Sequence, residues 1–148
     1  GYNLATPIAM ARMLAGVISG QLPTPHVTDW FRDAAGRYWG KRDGRASAPL
    51  SIEPDRRHRV VQALGGVVQD PRGTAAGSRS ARIAFGGKTG TAQNPRGEDH
   101  AWFVGFAPLD RPEVVVTVVV EHGGHGSSAA APLAKRLFER WQETHARP

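Results

Sequence analysis

Apolar residues recur at helical spacing, three or four positions apart, in three stretches of the chain. Such a stripe indicates a helix that packs one face against a core. We therefore predict three helices, whose core-facing positions are Ile8, Met10, Met13, Leu14, Val17 and Ile18 in the first, Val60, Val61, Leu64, Val67 and Val68 in the second, and Leu133, Leu137, Phe138 and Trp141 in the third.

The ends of these stretches carry capping residues. Thr6 precedes Pro7, and a threonine hydroxyl followed by a proline at the first helical position is a typical helix start. Ser127 or Ser128 can cap the third helix in the same way. Residues 65 and 66 are both glycine in the middle of the second helix, which costs helix propensity, so we expect another backbone to pack closely there.

Between the second and third helices the pattern changes to strands. Residues 82–85 lead into a glycine-rich segment, and residues 101–107 and 114–120 are rich in β-branched and aromatic side chains. The short connections favour antiparallel hairpins. Residues 114–120 are apolar on both faces, which predicts a strand covered by helices on both sides. The predicted fold class is α+β, an antiparallel sheet packed between helices.

The connection from residue 21 to residue 49 has no strong period and is punctuated by prolines and glycines. Trp30-Phe31 and Tyr38-Trp39 predict short strand pieces within it. Loops of this length often border a functional site, so we expect substrate or partner contacts here.

Composition restricts the classes of function. A chain of 148 residues with 40% hydrophobic and 22% charged residues suits one globular domain, and the absence of cysteine excludes disulfides and thiolate zinc sites. The net charge of +6 raises nucleic acid as a partner, but the arginines are scattered and no nucleic-acid motif is present, which favours a solvated basic face. No apolar run reaches the roughly 18–20 residues of a membrane span.

Residues 86–93 (GGKTGTAQ) concentrate the candidate chemistry. Lys88 supplies a positive charge, and Thr89 and Thr91 supply hydroxyl donors, so this segment can bind a carboxylate. Glycine allows a backbone to approach a ligand closely because it has no Cβ. Two interpretations follow from the residues alone, an anion-binding strand edge or a glycine-rich turn with a solvated lysine.

Other catalytic patterns are weaker. His122 and His125 are three residues apart, but no third ligand has a matching spacing, so a solvated turn is favoured over a metal site. The phosphate-binding pattern G-x-x-x-x-G-K-[ST] and the serine turn G-x-S-x-G are both absent from the sequence. We predict no metal and no cofactor.

The order of motifs resembles that of the class B penicillin-binding proteins along nearly the whole chain, and a Lys-Thr-Gly strand is one of their signature motifs. Residues 100–106 and 121–124 look more like the elongation type, such as penicillin-binding protein 2, than the division type. The segments that carry the resemblance are residues 5–11, 73–75, 87–93, 100–108 and 121–126.

This resemblance implies a penicillin-binding transpeptidase fold and a D,D-transpeptidase that cross-links peptidoglycan stem peptides ending in D-Ala-D-Ala and is acylated by β-lactams. Lys88 and Thr91 are the implied catalytic residues, with Lys88 in proton relay and the Thr91 N–H in the oxyanion hole. The implied substrate-binding residues are Thr89, Gly90, Thr91 and Gln93. The resemblance also implies an extracytoplasmic, membrane-anchored parent protein that works with a glycosyltransferase and other cell-wall elongation proteins.

The sequence departs from the family pattern at the nucleophile. None of Lys41, Lys88 and Lys135 has a serine three positions before it, and no serine has an asparagine two positions after it, so the Ser-x-x-Lys and Ser-x-Asn motifs are missing. We therefore expect residues 1–148 to be the C-terminal portion of one transpeptidase domain, inactive alone. The alternative is a non-catalytic module that senses β-lactams or serves a structural role.

Overall fold

Three helices pack against the faces of the sheet and follow one another in the predicted order. The computed structural model describes residues 4–27, 31–39 and 47–145. A 3-10 turn follows the second helix, and a π-helical turn precedes the third. The bounds are Pro7–Ser19 for α1, Pro54–Gln69 for α2, Ala76–Ser78 for the 3-10 turn, Gly126–Ala130 for the π-helical turn and Ala131–His145 for α3.

The main sheet is antiparallel and has the strand order β5-β6-β7. Its strands are β5 (Gly86–Ala92), β6 (His100–Ala107) and β7 (Val114–Val120). The α+β prediction is confirmed, with helices on both faces of an antiparallel sheet. Two pairs of two-residue strands lie in the long connection: β1 (Gln21–Leu22) pairs with β4 (Ala48–Pro49), and β2 (Phe31–Arg32) pairs with β3 (Tyr38–Trp39).

The predicted strand pieces in this connection are confirmed where they are described. Phe31 and Trp39 face each other across the β2–β3 pair, with ring centroids 4.9 Å apart. Trp30 lies outside the described residues. The stacked rings stabilise a small hairpin without burying it, since both strands are exposed.

The strand that leads into the glycine-rich segment is shorter than predicted. Residues 82–85 are not part of the sheet, and β5 begins at Gly86. Two carbonyls of residues 82–85 accept hydrogen bonds from groups outside the sheet. The Leu109 N–H donates to the Ala84 carbonyl (2.9 Å), and Gln69 Nε2 donates to the Phe85 carbonyl (2.8 Å). The buried Phe85 ring anchors the lead-in against the core.

β7 is covered on both faces as predicted, but it is not fully buried. α1 and α3 both pack against it, yet all seven residues are only partly buried. The reason is its position, since β7 is the last strand of this sheet in the described part of the chain.

Several predicted core positions are wrong. Leu133 is 41% exposed and Leu137 is 50% exposed, because α3 turns its small residues and Phe138 toward the sheet. Three predicted positions in the other two helices are also exposed: Ile8 and Met13 in α1, and Val60 in α2. The fully buried face of each helix is built around small side chains, which let the helix approach closely: Gly16 in α1, Gly65 in α2, and Ala131 and Ala134 in α3.

The predicted caps are confirmed for α1 and wrong for α3. Thr6 Oγ1 accepts from the Ala9 N–H (3.2 Å), and Gly20, with φ of 76°, ends the helix. Neither Ser127 nor Ser128 caps α3, because both lie inside the π-helical turn that precedes it. The Ser128 hydroxyl instead donates to the carbonyl of His125 (3.1 Å).

The core has one cluster on each face of the sheet. Between the sheet and α3, the buried ring of Phe85 packs against those of Phe103 and Phe138, with the Phe85 and Phe138 centroids 5.0 Å apart. On the opposite face, Leu14 of α1 packs with Phe106 of β6. The sheet therefore holds its edge strand β5 at a fixed place between two packed layers.

Gly65 confirms the expected close packing, whereas Gly66 does not. A Cβ on Gly86 of β5 would lie 3.0 Å from the Gly65 nitrogen, so the two glycines let α2 and β5 come into backbone contact. A Cβ on Gly66 would meet nothing within 4 Å. The contact at Gly65 fixes the position of α2 beside the glycine-rich segment.

Candidate active site

The candidate residues lie along β5. Side chains on a strand alternate between its faces, so Lys88 and Gly90 point to one face while Thr89 and Thr91 point to the other. Lys88 and Thr91 are exposed, and Thr89 is half-buried. The strand lies at the edge of the sheet in the described part of the chain, so this edge is open to a ligand.

A cleft of about 340 Å³ runs beside β5. Residues 88–91 of the strand supply its charge and hydroxyls, and the rest of its lining is apolar. It accommodates a ligand with an anionic group next to a nonpolar one. The apolar side chains come from the segment before α1, from α1 and from β6: Leu4, Ala5, Met10, Trp102 and Val104.

The cleft brings together Lys88, Thr89, Gly90 and Thr91 from the predicted set. Gln93 follows the end of β5, is exposed, and does not line this cleft. A larger cleft of about 670 Å³ lies elsewhere, between α2 and the β6–β7 connection, and it contains none of the predicted site residues.

Lys88 uses one of its donors on its own strand. Its Nζ donates to the carbonyl oxygen of Thr89 over 2.6 Å. An ammonium group carries three donors, so two remain for a ligand. None of the ion pairs within residues 4–27, 31–39 and 47–145 involves Lys88, which leaves its charge unneutralised by a carboxylate.

Thr74 contacts the site from outside the strand. Its Oγ1 lies 3.0 Å from the Thr89 Oγ1, and either hydroxyl can be the donor. Just before it, the Arg72 guanidinium donates to Asp70 (3.0 Å) and lowers the pKa of that carboxyl. This charge pair lies at the turn that connects α2 to Thr74.

The glycines of β5 serve packing within the protein. A Cβ on Gly87 would lie 2.5 Å from both the Phe103 ring and the Val104 carbonyl oxygen. From the other direction, a Cβ on Gly126 would lie 2.4 Å from the Gly90 carbonyl oxygen. Gly86 and Gly87 are buried, so the expectation that they let a ligand approach the backbone is wrong for these two.

The two histidines considered as metal ligands belong to the turn after β7. The His122 N–H donates to Nδ1 of His100 (3.0 Å), and the His122 ring lies 3.1 Å from the Asn94 side-chain nitrogen. His125 is exposed. Within the described residues, no three histidine, aspartate or glutamate side chains are placed to hold a metal ion.

The fold and the site together define a class of protein. Lys-Thr-Gly is one of the signature motifs of penicillin-binding proteins and class A β-lactamases, which use a serine nucleophile, and here it lies on the edge strand of a helix-covered antiparallel sheet. The family model described as the penicillin binding protein transpeptidase domain matches residues 1–139. This chain belongs to that family.

Two bacterial relatives are similar in sequence. The peptidoglycan D,D-transpeptidase MrdA of Haemophilus influenzae is 32% identical over 163 residues, which cover 94% of this chain and 24% of the relative. MrdA of Acinetobacter baumannii is 40% identical over 98 residues, covering 56% of this chain and 14% of the relative. The chain thus spans about a quarter or less of the length of these relatives.

Solved structures share the fold. Penicillin-binding protein 2 from Helicobacter pylori has a TM-score of 0.81 at 28% identity, over 99% of this chain and 26% of that one. Penicillin-binding protein 2 from Pseudomonas aeruginosa, in complex with WCK 5153, has a TM-score of 0.73 at 34% identity, over 100% of this chain and 33% of that one. These similarities are to the penicillin-binding protein 2 type, as the sequence indicated.

The sequence predicted the polar wall of the cleft and missed its surroundings. Trp102 lies opposite Gly90 in the β5–β6 register and so lines the cleft, which the hairpin spacing alone could have indicated. Thr74 was recognised only as part of a matching motif, because nothing in its local sequence shows that it reaches Thr89.

Proposed function

We propose that this chain is the C-terminal portion of the transpeptidase domain of an elongation-type peptidoglycan D,D-transpeptidase. The observation that carries the proposal is the cleft beside β5, where Lys88, Thr89 and Thr91 present charge and hydroxyls at an open strand edge. The match of residues 1–139 to the transpeptidase family supports it. The substrate is a stem peptide ending in D-Ala-D-Ala, and β-lactams acylate the same site.

In this proposal Lys88 provides the positive field of the site and takes part in proton relay. The Thr89 and Thr91 hydroxyls bind the terminal carboxylate of the substrate, with Gly90 and Gln93 completing the substrate-binding strand. The Thr91 N–H is one donor of the oxyanion hole, where preorganised donors stabilise the charge that develops on the acyl oxygen. The second donor and the serine nucleophile belong to an upstream part of the protein that carries Ser-x-x-Lys and Ser-x-Asn.

We place the parent protein on the extracytoplasmic side of the bacterial inner membrane, anchored by a segment outside these residues. Within the described part of the chain, no helix combines the length and apolar character that crossing a membrane requires. Its proposed partners are a glycosyltransferase and other elongation proteins. A solved complex between penicillin-binding protein 2 and MreC from Helicobacter pylori, with a TM-score of 0.80 to this chain, supports partners of this kind.

Labelling with a fluorescent penicillin tests the role of Lys88. The full-length protein should form a covalent adduct, and Lys88→Ala should reduce the rate of adduct formation by about 100-fold or more, since a charged group at the reacting centre is lost. Gel fluorescence over time gives the rate. Lys135→Ala on α3 is the matched control and should label normally; normal labelling of Lys88→Ala would remove Lys88 from the mechanism.

A non-catalytic module of the same fold is the second candidate. The observation that favours it is the absence of Ser-x-x-Lys from these 148 residues. Reading the parent sequence before Gly1 separates the two. A Ser-x-x-Lys there favours the enzyme, and its absence favours a β-lactam-sensing or structural module.

A further inference from the structure

Thr74 lies beside the proposed substrate-binding strand without being part of it. It is exposed and sits in the turn between α2 and the 3-10 turn. Its hydroxyl oxygen is 3.0 Å from that of Thr89. Within the described part of the chain, this is the one hydrogen bond recorded for the Thr89 hydroxyl. The two hydroxyls therefore determine each other's orientation.

The backbone on either side of Thr74 is held tightly against α2. A Cβ on Gly73 would lie 2.3 Å from the Val67 carbonyl oxygen, so only glycine fits there. The Ala75 N–H donates to that same oxygen (2.9 Å), and Ala75 is only 2% exposed. Thr74 is thus fixed between two anchored neighbours.

α2 is in turn fixed to the strand. Gln69 Nε2 donates to the Phe85 carbonyl (2.8 Å), directly before β5, and Gly65 contacts Gly86 through its backbone. The turn that carries Thr74 and the strand that carries Thr89 therefore form one rigid unit. A hydrogen bond between parts that are already in place loses little side-chain entropy when it forms.

A hydroxyl has one proton and two acceptor lone pairs. If Thr89 gives its proton to Thr74, that proton is not available to a ligand. If Thr74 is the donor, the Thr89 proton is free to point into the cleft. A carboxylate accepts but cannot donate, so its arrival selects the second arrangement.

We propose that Thr74 is a positioning residue that donates to Thr89 Oγ1 and so directs the Thr89 proton toward the carboxylate of the substrate or β-lactam. This inference rests on the proposed function, because it assumes that a carboxylate binds at Thr89. Thr74 itself does not touch the ligand. Its effect passes entirely through the Thr89 hydroxyl.

A double-mutant cycle on the full-length protein tests this. The readout is the second-order rate constant for acylation by the fluorescent penicillin. We expect Thr74→Val to lower it about 3- to 10-fold, the scale of a weakened hydrogen bond to a charged group. Thr74→Ser should stay within about twofold of the wild type, since the hydroxyl is kept. In a Thr89→Val background, Thr74→Val should have no further effect.

The controls separate positioning from folding. Thr144→Val, in the last turn of α3, is the matched control and should acylate normally. If Thr74→Val has a lowered Tm, the acylation rates of Thr74→Ser and Thr74→Ala are compared instead, because these two variants differ only by the hydroxyl. An undiminished rate in Thr74→Val, or a full loss that persists in the Thr89→Val background, would overturn the inference. A wild-type protein that forms no adduct would instead count against the proposed function.

Discussion

At the scale of single residues, the site depends on backbone contacts as much as on its polar groups. Lys88, Thr89 and Thr91 supply the polar groups of the cleft, while Gly86, Gly87 and Gly126 allow the close backbone packing that positions the strand. The polar set follows directly from the residue types in the sequence. The glycine contacts do not, because they join segments that are distant along the chain.

Gly126 gives a test of this packing. A Cβ there would lie 2.2 Å from the Trp102 carbonyl oxygen and 2.4 Å from that of Gly90, and neither backbone atom can move without disturbing the β5–β6 pair. We expect Gly126→Ala to destabilise the protein by about 1–3 kcal/mol, the usual range for overpacking.

Thermal unfolding of full-length Gly126→Ala measures the loss of stability. The rate of penicillin labelling should also fall in this variant. Gly77→Ala is the matched control, since a Cβ on Gly77 meets nothing within 4 Å. A Tm for Gly126→Ala equal to that of the control would show that the turn does not support the strand.

At the scale of elements, the sequence predicted the helices and the hairpins well. Periodicity and capping residues located α1, and β7 was predicted at Val114–Val120, the bounds that the structure has. It predicted the buried faces less well. Leu133 and Leu137 are exposed because the contact face of α3 follows Ala131, Ala134 and Phe138, and hydrophobicity alone favours leucine over alanine.

The two glycines of α2 are expected to respond differently to substitution. Gly66→Ala should raise stability by roughly 1 kcal/mol, because the position is helical and a Cβ there meets nothing within 4 Å. Gly65→Ala should lose this gain, since its Cβ would lie 3.0 Å from Leu109 Cδ1 and would press on that side chain. The Tm of each variant is compared with that of the wild type. Equal shifts in Tm would contradict the close packing at Gly65 and the open space at Gly66.

At the scale of the whole molecule, these 148 residues carry one signature motif of the family, Lys-Thr-Gly. The motifs that supply a nucleophile in this family are absent from the sequence, and an acyl-enzyme cannot form without one. The absence of these motifs follows directly from residue types and their spacing. The walls of the cleft could not be predicted in this way, because they bring together segments that are distant along the chain, such as those of Met10 and Trp102.

The isolated chain should therefore bind no β-lactam covalently. Intact-mass spectrometry after incubation with benzylpenicillin should show the unmodified mass, while the full-length protein gains one adduct. An adduct on the isolated chain would mean that another residue serves as the nucleophile. The full-length protein treated in parallel shows that the reagent is active.

The glycine contacts also limit how this site can change during evolution. A lineage cannot add side chains at Gly86, Gly87 or Gly126 without displacing backbone. Tolerated variation is left to the walls around the strand, such as Met10 and Trp102. Adaptive substitutions should accumulate there first.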